Sequence, residues 1–170
     1  MKTGHFVISL DFEIYWGVRD ITSIEGYQNN LLGVRKAIPL MLELFLKYQV
    51  NTTFATVGFL FFQNKSELLN GLPAQIPGYT NKILSPYNGH FNTIGDNETN
   101  DPFHYGHSLI EQIQKYKQEV GCHTFSHYYC LEEGQTIEDF RADLIAAKKI
   151  ALKRGITLKS FVFPRNQYNQ

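Results

Sequence analysis

The chain of 170 residues predicts an α/β fold with parallel strands, laid out as a sheet or a barrel. Three observations carry this. Short apolar runs rich in β-branched residues alternate with stretches of helical period. Right-handed crossovers between such units put every strand's C-terminal end on one edge. The strings richest in carboxylates and imidazoles follow those runs, on the edge where α/β folds carry their sites.

The elements follow in order. Phe6 to Leu10 reads as a short buried strand bounded by Gly4 and Asp11. Leu31 to Tyr48 is a helix, with Asn30 as its cap and Leu32, Ala37, Leu40 and Leu44 near helical spacing. Pro39 inside it implies a late start or a kink. Thr52 to Val57 is a second strand, and Gly58 to Leu69 a second helix. Residues 71–107 break this rhythm with Pro73, Pro77, Pro86 and Pro102 among many polar residues. A loop this long is functional or disordered as a rule. Its aromatics (Tyr79, Tyr87, Phe91, Phe103 and Tyr105) argue for an ordered loop, with anchoring favoured over sugar stacking. Ser108 to Gln118 is a helix capped by Ser108, and Val120 to Cys122 a strand ending at His123. Thr136 to Arg154 is the clearest helix, with a capping arrangement of Thr136 and Asp139 and Gly155 as its stop. Leu158 to Phe163 is a fourth strand, followed by Pro164-Arg165. The whole is one domain over 1–170 with a long loop inserted at about 71–107.

Composition narrows the function. Hydrophobic residues make up 43% and aromatics 14%, enough for a sizeable core. Lys+Arg and Asp+Glu are both 16, so no basic field exists to attract nucleic acid or a membrane surface. No run approaches the roughly 18 apolar residues that a membrane span needs. Cys122 and Cys130 do not make a disulfide framework. A reducing, cytoplasmic location is the expectation.

Two strings carry the chemistry. His123-Thr124-Phe125-Ser126-His127 places two imidazoles four apart, a spacing that stacks side chains on one face of a helical turn. Ser9-Leu10-Asp11-Phe12-Glu13 places two acids two apart, which in an extended segment point the same way. Two histidines and a carboxylate with an open position make a catalytic metal arrangement. A second carboxylate can then take a proton from metal-activated water.

These strings resemble motifs of the NodB-like polysaccharide deacetylases, carbohydrate esterase family four. His123 to His127 matches the His-(Ser/Thr)-x-x-His motif in full. Asp11-Phe12-Glu13 resembles the family's acidic pair with one residue inserted, and Phe163-Pro164-Arg165 resembles its arginine motif. The resemblance implies a distorted (β/α) barrel and a metal-dependent deacetylase acting on an acetylated carbohydrate. By position, Glu13, His123 and His127 would hold a divalent metal, zinc in most of the family. Asp11 would be the base, and Arg165 would pair with it. An alternative has Asp11 on the metal and Glu13 behind it. Family members continue through further strands to a late histidine that acts as acid, and His5, His90, His104 and His107 do not take that place. The expectation is therefore an incomplete barrel, inactive or very weak alone, with open edges that oligomerisation could cover.

Three other readings fit parts of the pattern. One is a carbohydrate-binding remnant without catalysis. Another is a hydrolase of other linear C–N bonds. The third is a non-haem iron oxygenase, which the β/α alternation disfavours.

Overall fold

A computed structural model describes residues 4 and 6–168. They form a mixed α/β unit with a three-stranded parallel sheet in the order β1-β2-β3 and four α-helices. The strands are β1 (Ser9–Phe12), β2 (Thr53–Thr56) and β3 (Glu119–Cys122). The sheet stays open among the described residues, so no barrel closes.

β1 starts later than its apolar run. Phe6 and Val7 are exposed, and pairing begins where Thr53 N–H donates to Ile8 O. Asp11 therefore lies inside the strand, opposite Ala55, rather than beyond its end. The fourth strand also shrinks: Phe161 meets Cys122 in a single bridge, flanked by Cys122 N–H to Ser160 O and Val162 N–H to Cys122 O. That short contact still brings Val162 and Arg165 to the sheet's carboxyl edge.

Helix α1 (Ile24–Tyr48) begins a full turn and more before Leu31, because Ser23 rather than Asn30 caps it, accepting from Gly26 N–H at 3.1 Å. It runs through Pro39. Its buried stripe is Leu31, Ile38 and Leu42, whereas Leu40 and Leu44 are exposed. The helix expected over 58–69 divides. Gly58–Phe61 is a 3-10 turn, and α2 (Lys65–Asn70) starts afresh where Asn64 accepts from Glu67 N–H at 2.8 Å. In the long loop, Tyr79, Phe91 and Tyr105 are buried, so these rings anchor it.

Helix α3 (His107–Lys115) has Gly106 at its cap position. Ser108 lies inside it, and its N–H and hydroxyl are both taken by Glu98 at 2.9 and 2.6 Å. Helix α4 (Ile137–Lys153) carries the full capping box of Thr136 and Asp139, and Gly155 follows at φ 73°. Thr136→Ala should cost about 1 kcal/mol of stability, the usual worth of such a cap. A urea unfolding curve checks it: the midpoint falls while the slope is unchanged.

The core fills the space between sheet and helices, with Phe12, Phe54 and Val120 facing Leu42, Leu109 and Ile113. A cluster of rings around Trp16, Phe59, Phe91 and Phe125 lies at the carboxyl edge, under the site.

Candidate metal centre

His123 is placed by β3, whose ladder continues as His123 N–H donates to Thr56 O at 3.0 Å. The next four residues form a tight loop, not a turn of helix. Thr124 (φ 62°) and His127 (φ 56°) are left-handed, a conformation that costs of order 1 kcal/mol or more for residues other than glycine. Those two reversals, rather than helical stacking, bring His127 back beside His123, with ring centroids 5.3 Å apart.

Several contacts hold the loop in that shape. Gly58 and Phe59 N–H donate to Thr124 O and Phe125 O at 2.9 and 3.1 Å. A side chain at position 58 would run into the Phe125 backbone, with a Cβ only 2.7 Å from its Cα. Thr124 Oγ1 accepts Tyr128 N–H at 2.8 Å. From α4, the buried Asp143 carboxylate accepts Phe125 N–H at 2.6 Å and Ser126 N–H at 3.1 Å, together with the Ser126 hydroxyl.

Glu13 comes from the residue after β1, at the start of a 3-10 turn over Ile14–Gly17. The chain leaves the extended form there, with Glu13 at φ −133° and ψ −19°. The Glu13 carboxyl folds over Gly17, where an added Cβ would lie 2.0 Å from it. A side chain at position 17 would therefore push the Glu13 carboxyl out of this place. The turn is fixed from behind: Trp16 is fully buried and donates to His104 O at 2.9 Å. His104 in turn pairs with Asp101 at 2.8 Å and meets His90 at 3.0 Å.

The three side chains meet at one point. Glu13 Oε2 lies 3.2 Å from His123 Nε2 and 2.9 Å from His127 Nε2. Their ligand atoms all lie within 4.8 Å of one another. The far nitrogens are occupied. His123 Nδ1 donates to Val162 O at 2.9 Å, and His127 Nδ1 meets the Tyr129 hydroxyl at 3.0 Å. Such partners on Nδ1 turn both Nε2 lone pairs toward the shared point. Burial alone would raise the Glu13 pKa, yet the hydrogen bonds and charges of the two imidazoles override it and hold it at about 2. Burial is also the main reason that the His127 pKa is lowered. At neutral pH the pair is thus a carboxylate and a neutral imidazole, the forms that ligate a cation. This donor set fits a divalent metal.

Not every residue singled out in the sequence joins this point. Asp11 is exposed on the edge strand, and its side chain has no hydrogen-bond partner among the described residues. The expected pairing of Arg165 with Asp11 does not form. Arg165, in a left-handed conformation (φ 52°) after Pro164, pairs with Asp20 at 2.7 Å and lies 4.8 Å over the Tyr129 ring. The Asp20 side chain is only 5% exposed. Asp20, Tyr129 and Asp143 form no spaced motif, and only the fold reveals their place around the site. Of the remaining histidines, His90, His104 and His107 lie in or beside the long loop, and His5 lies outside the described residues.

No helix among the described residues is long and apolar enough to cross a membrane. No family model matches the chain, and neither does any curated protein. A similar solved structure is a mutant of a CE4 family pseudoenzyme with restored enzymatic activity. It has a TM-score of 0.48 and 14% sequence identity, over 96% of this chain and 37% of that one. The chain thus spans little more than a third of that protein's length.

Proposed function

We propose that this chain is a metal-dependent hydrolase of the polysaccharide-deacetylase type, removing acetyl groups from a carbohydrate. The observation that carries the reading is the convergence of Glu13, His123 and His127 with both imidazole Nδ1 atoms already engaged. The match of His123 to His127 with the family's histidine motif supports the substrate class. Two imidazoles and one carboxylate, leaving room for water and substrate, suit zinc. Bound there, zinc would polarise the acetyl carbonyl and acidify water.

The chain's own residues do the rest. Glu13, His123 and His127 would hold the ion, and the 124–127 loop keeps the two rings in place. Asp11 is proposed as base from its place in the acidic motif; its carboxylate is exposed and engaged by no cation among the described residues. Water adds to the carbonyl, and acetate leaves as the sugar amine or hydroxyl takes up a proton.

Acetate release from N-acetylglucosamine oligomers and O-acetylated xylan oligomers tests this. The expected result is release that needs zinc, is lost in Glu13→Gln and falls at least tenfold in Asp11→Asn. Release that survives Glu13→Gln, or none from either substrate class, contradicts it.

A further inference from the structure

Tyr129 stands where a metal would have to be accommodated on His127. When a cation takes the Nε2 lone pair, Nδ1 must carry the ring's hydrogen and needs an acceptor. When no cation is bound, Nε2 can donate to Glu13 Oε2, 2.9 Å away, and Nδ1 then needs a donor. A carbonyl, such as the one facing His123 Nδ1, serves only the first case. A hydroxyl serves both, because it donates one hydrogen and accepts through its lone pairs.

Tyr129 Oη is that hydroxyl, 3.0 Å from His127 Nδ1. It also has somewhere to send its hydrogen when it accepts from the ring: Asp20 Oδ1, 3.4 Å away, a carboxylate that only accepts. Asp20 is held ready by Arg165, which pairs with it at 2.7 Å and covers the Tyr129 ring. The phenol itself is buried, with Tyr129 only 1% exposed, so water does not compete for it.

We infer that Tyr129, backed by Asp20 and Arg165, is a positioning residue that lets His127 exchange its partner at Nε2 without losing its bond at Nδ1. The inference rests on the metal reading proposed above. Its consequence is a contribution to metal affinity from a residue that does not touch the metal. Removing such partners of a ligating histidine costs about 10–100-fold in affinity.

Tyr129→Phe removes one oxygen and keeps the ring under Arg165, so the fold should survive. Zinc affinity is measured at neutral pH by competition with a chromogenic chelator. In parallel, nitrogen NMR of the zinc-loaded protein follows the His127 ring. The expected result is a loss of about 10–100-fold in affinity in Tyr129→Phe. The His127 Nδ1–H signal, sharp and protected from exchange in the unaltered protein, should broaden. Asp20→Ala, which takes away the waiting acceptor, should weaken zinc in the same direction. Equal affinity and an unchanged Nδ1–H signal in Tyr129→Phe overturn this inference alone. Absence of zinc binding by the unaltered protein overturns the metal reading, and this inference with it.

Discussion

Asp143→Ala should lower stability by about 3 kcal/mol at neutral pH, and more in acid. Asp143 sits on α4, is fully buried, and accepts from Phe125 N–H, Ser126 N–H and the Ser126 hydroxyl. Alanine leaves those three donors in the interior with nothing to accept them, at a cost of about 1–3 kcal/mol each. Against this stands the cost of keeping a charge in the interior. Burial pushes the Asp143 carboxyl up from 3.8 to about 6, although the three donors pull it down.

The direction with pH follows from that shift. Below about pH 4 the carboxyl is protonated in both folded and unfolded chains, and its contribution is fully present. Between about 4 and 6 the unfolded chain gives up its proton while the folded one keeps it, so stability falls as pH rises. A shift of this size amounts to about 3 kcal/mol. The deficit of Asp143→Ala relative to the unaltered protein should therefore be largest near pH 4 and narrow toward pH 6. Urea midpoints for the two proteins across that range check it. Their difference isolates Asp143 from carboxylates such as Glu13 and Asp101, whose lowered pKa values act in the opposite direction. Equal stability at pH 7, or a difference flat in pH, would contradict the account. The site should suffer too, because the same hydrogen bonds hold the loop that joins His123 to His127.

Zinc at a hundred times its dissociation constant should stabilise the protein by about 2.7 kcal/mol, and Glu13→Gln should abolish that gain. The unaltered site presents a carboxylate held ionised by the two imidazoles, with Oε2 at 3.2 and 2.9 Å from their Nε2 atoms. Glutamine is nearly the same size and fits over Gly17, but brings no charge and a weaker donor oxygen. It also removes the anion that both rings face in the metal-free protein. A thermal melt with and without zinc separates the effects. The unaltered protein should gain several degrees on adding zinc and the variant none. A variant stabilised as much as the unaltered protein would take Glu13 out of the ligand set.

The histidine pair was legible because its spacing is a property of the sequence alone, although the reason it works is different. The backbone reverses at Thr124 and His127, and no periodicity argument reveals a left-handed histidine. Glu13 was legible as one of two acids. That it, of the two, joins the imidazoles was not, because the chain leaves the strand at Glu13 and its carboxyl folds over Gly17. The parallel α/β order was readable from alternation, and the Thr136 capping box from its two side chains. The start of α1 was missed because Ser23 precedes a stretch with little apolar period, and buried packing of Leu31, Ile38 and Leu42 decides the helix. Asp20, Tyr129 and Asp143 were beyond reach. Asp20 meets Tyr129 across 109 residues of chain and Asp143 meets Ser126 across 17, so only tertiary packing brings the two acids to the site. Tyr129 is two residues from His127, but that its hydroxyl turns onto the ring follows from the left-handed backbone at His127.

Crystals of the unaltered protein grown with zinc, with diffraction recorded above and below the zinc absorption edge, test the central claim most directly. The account predicts one anomalous peak per chain, at about 2.0–2.2 Å from Glu13 Oε2, His123 Nε2 and His127 Nε2. An empty point between these three atoms, or zinc bound only elsewhere on the chain, would contradict it.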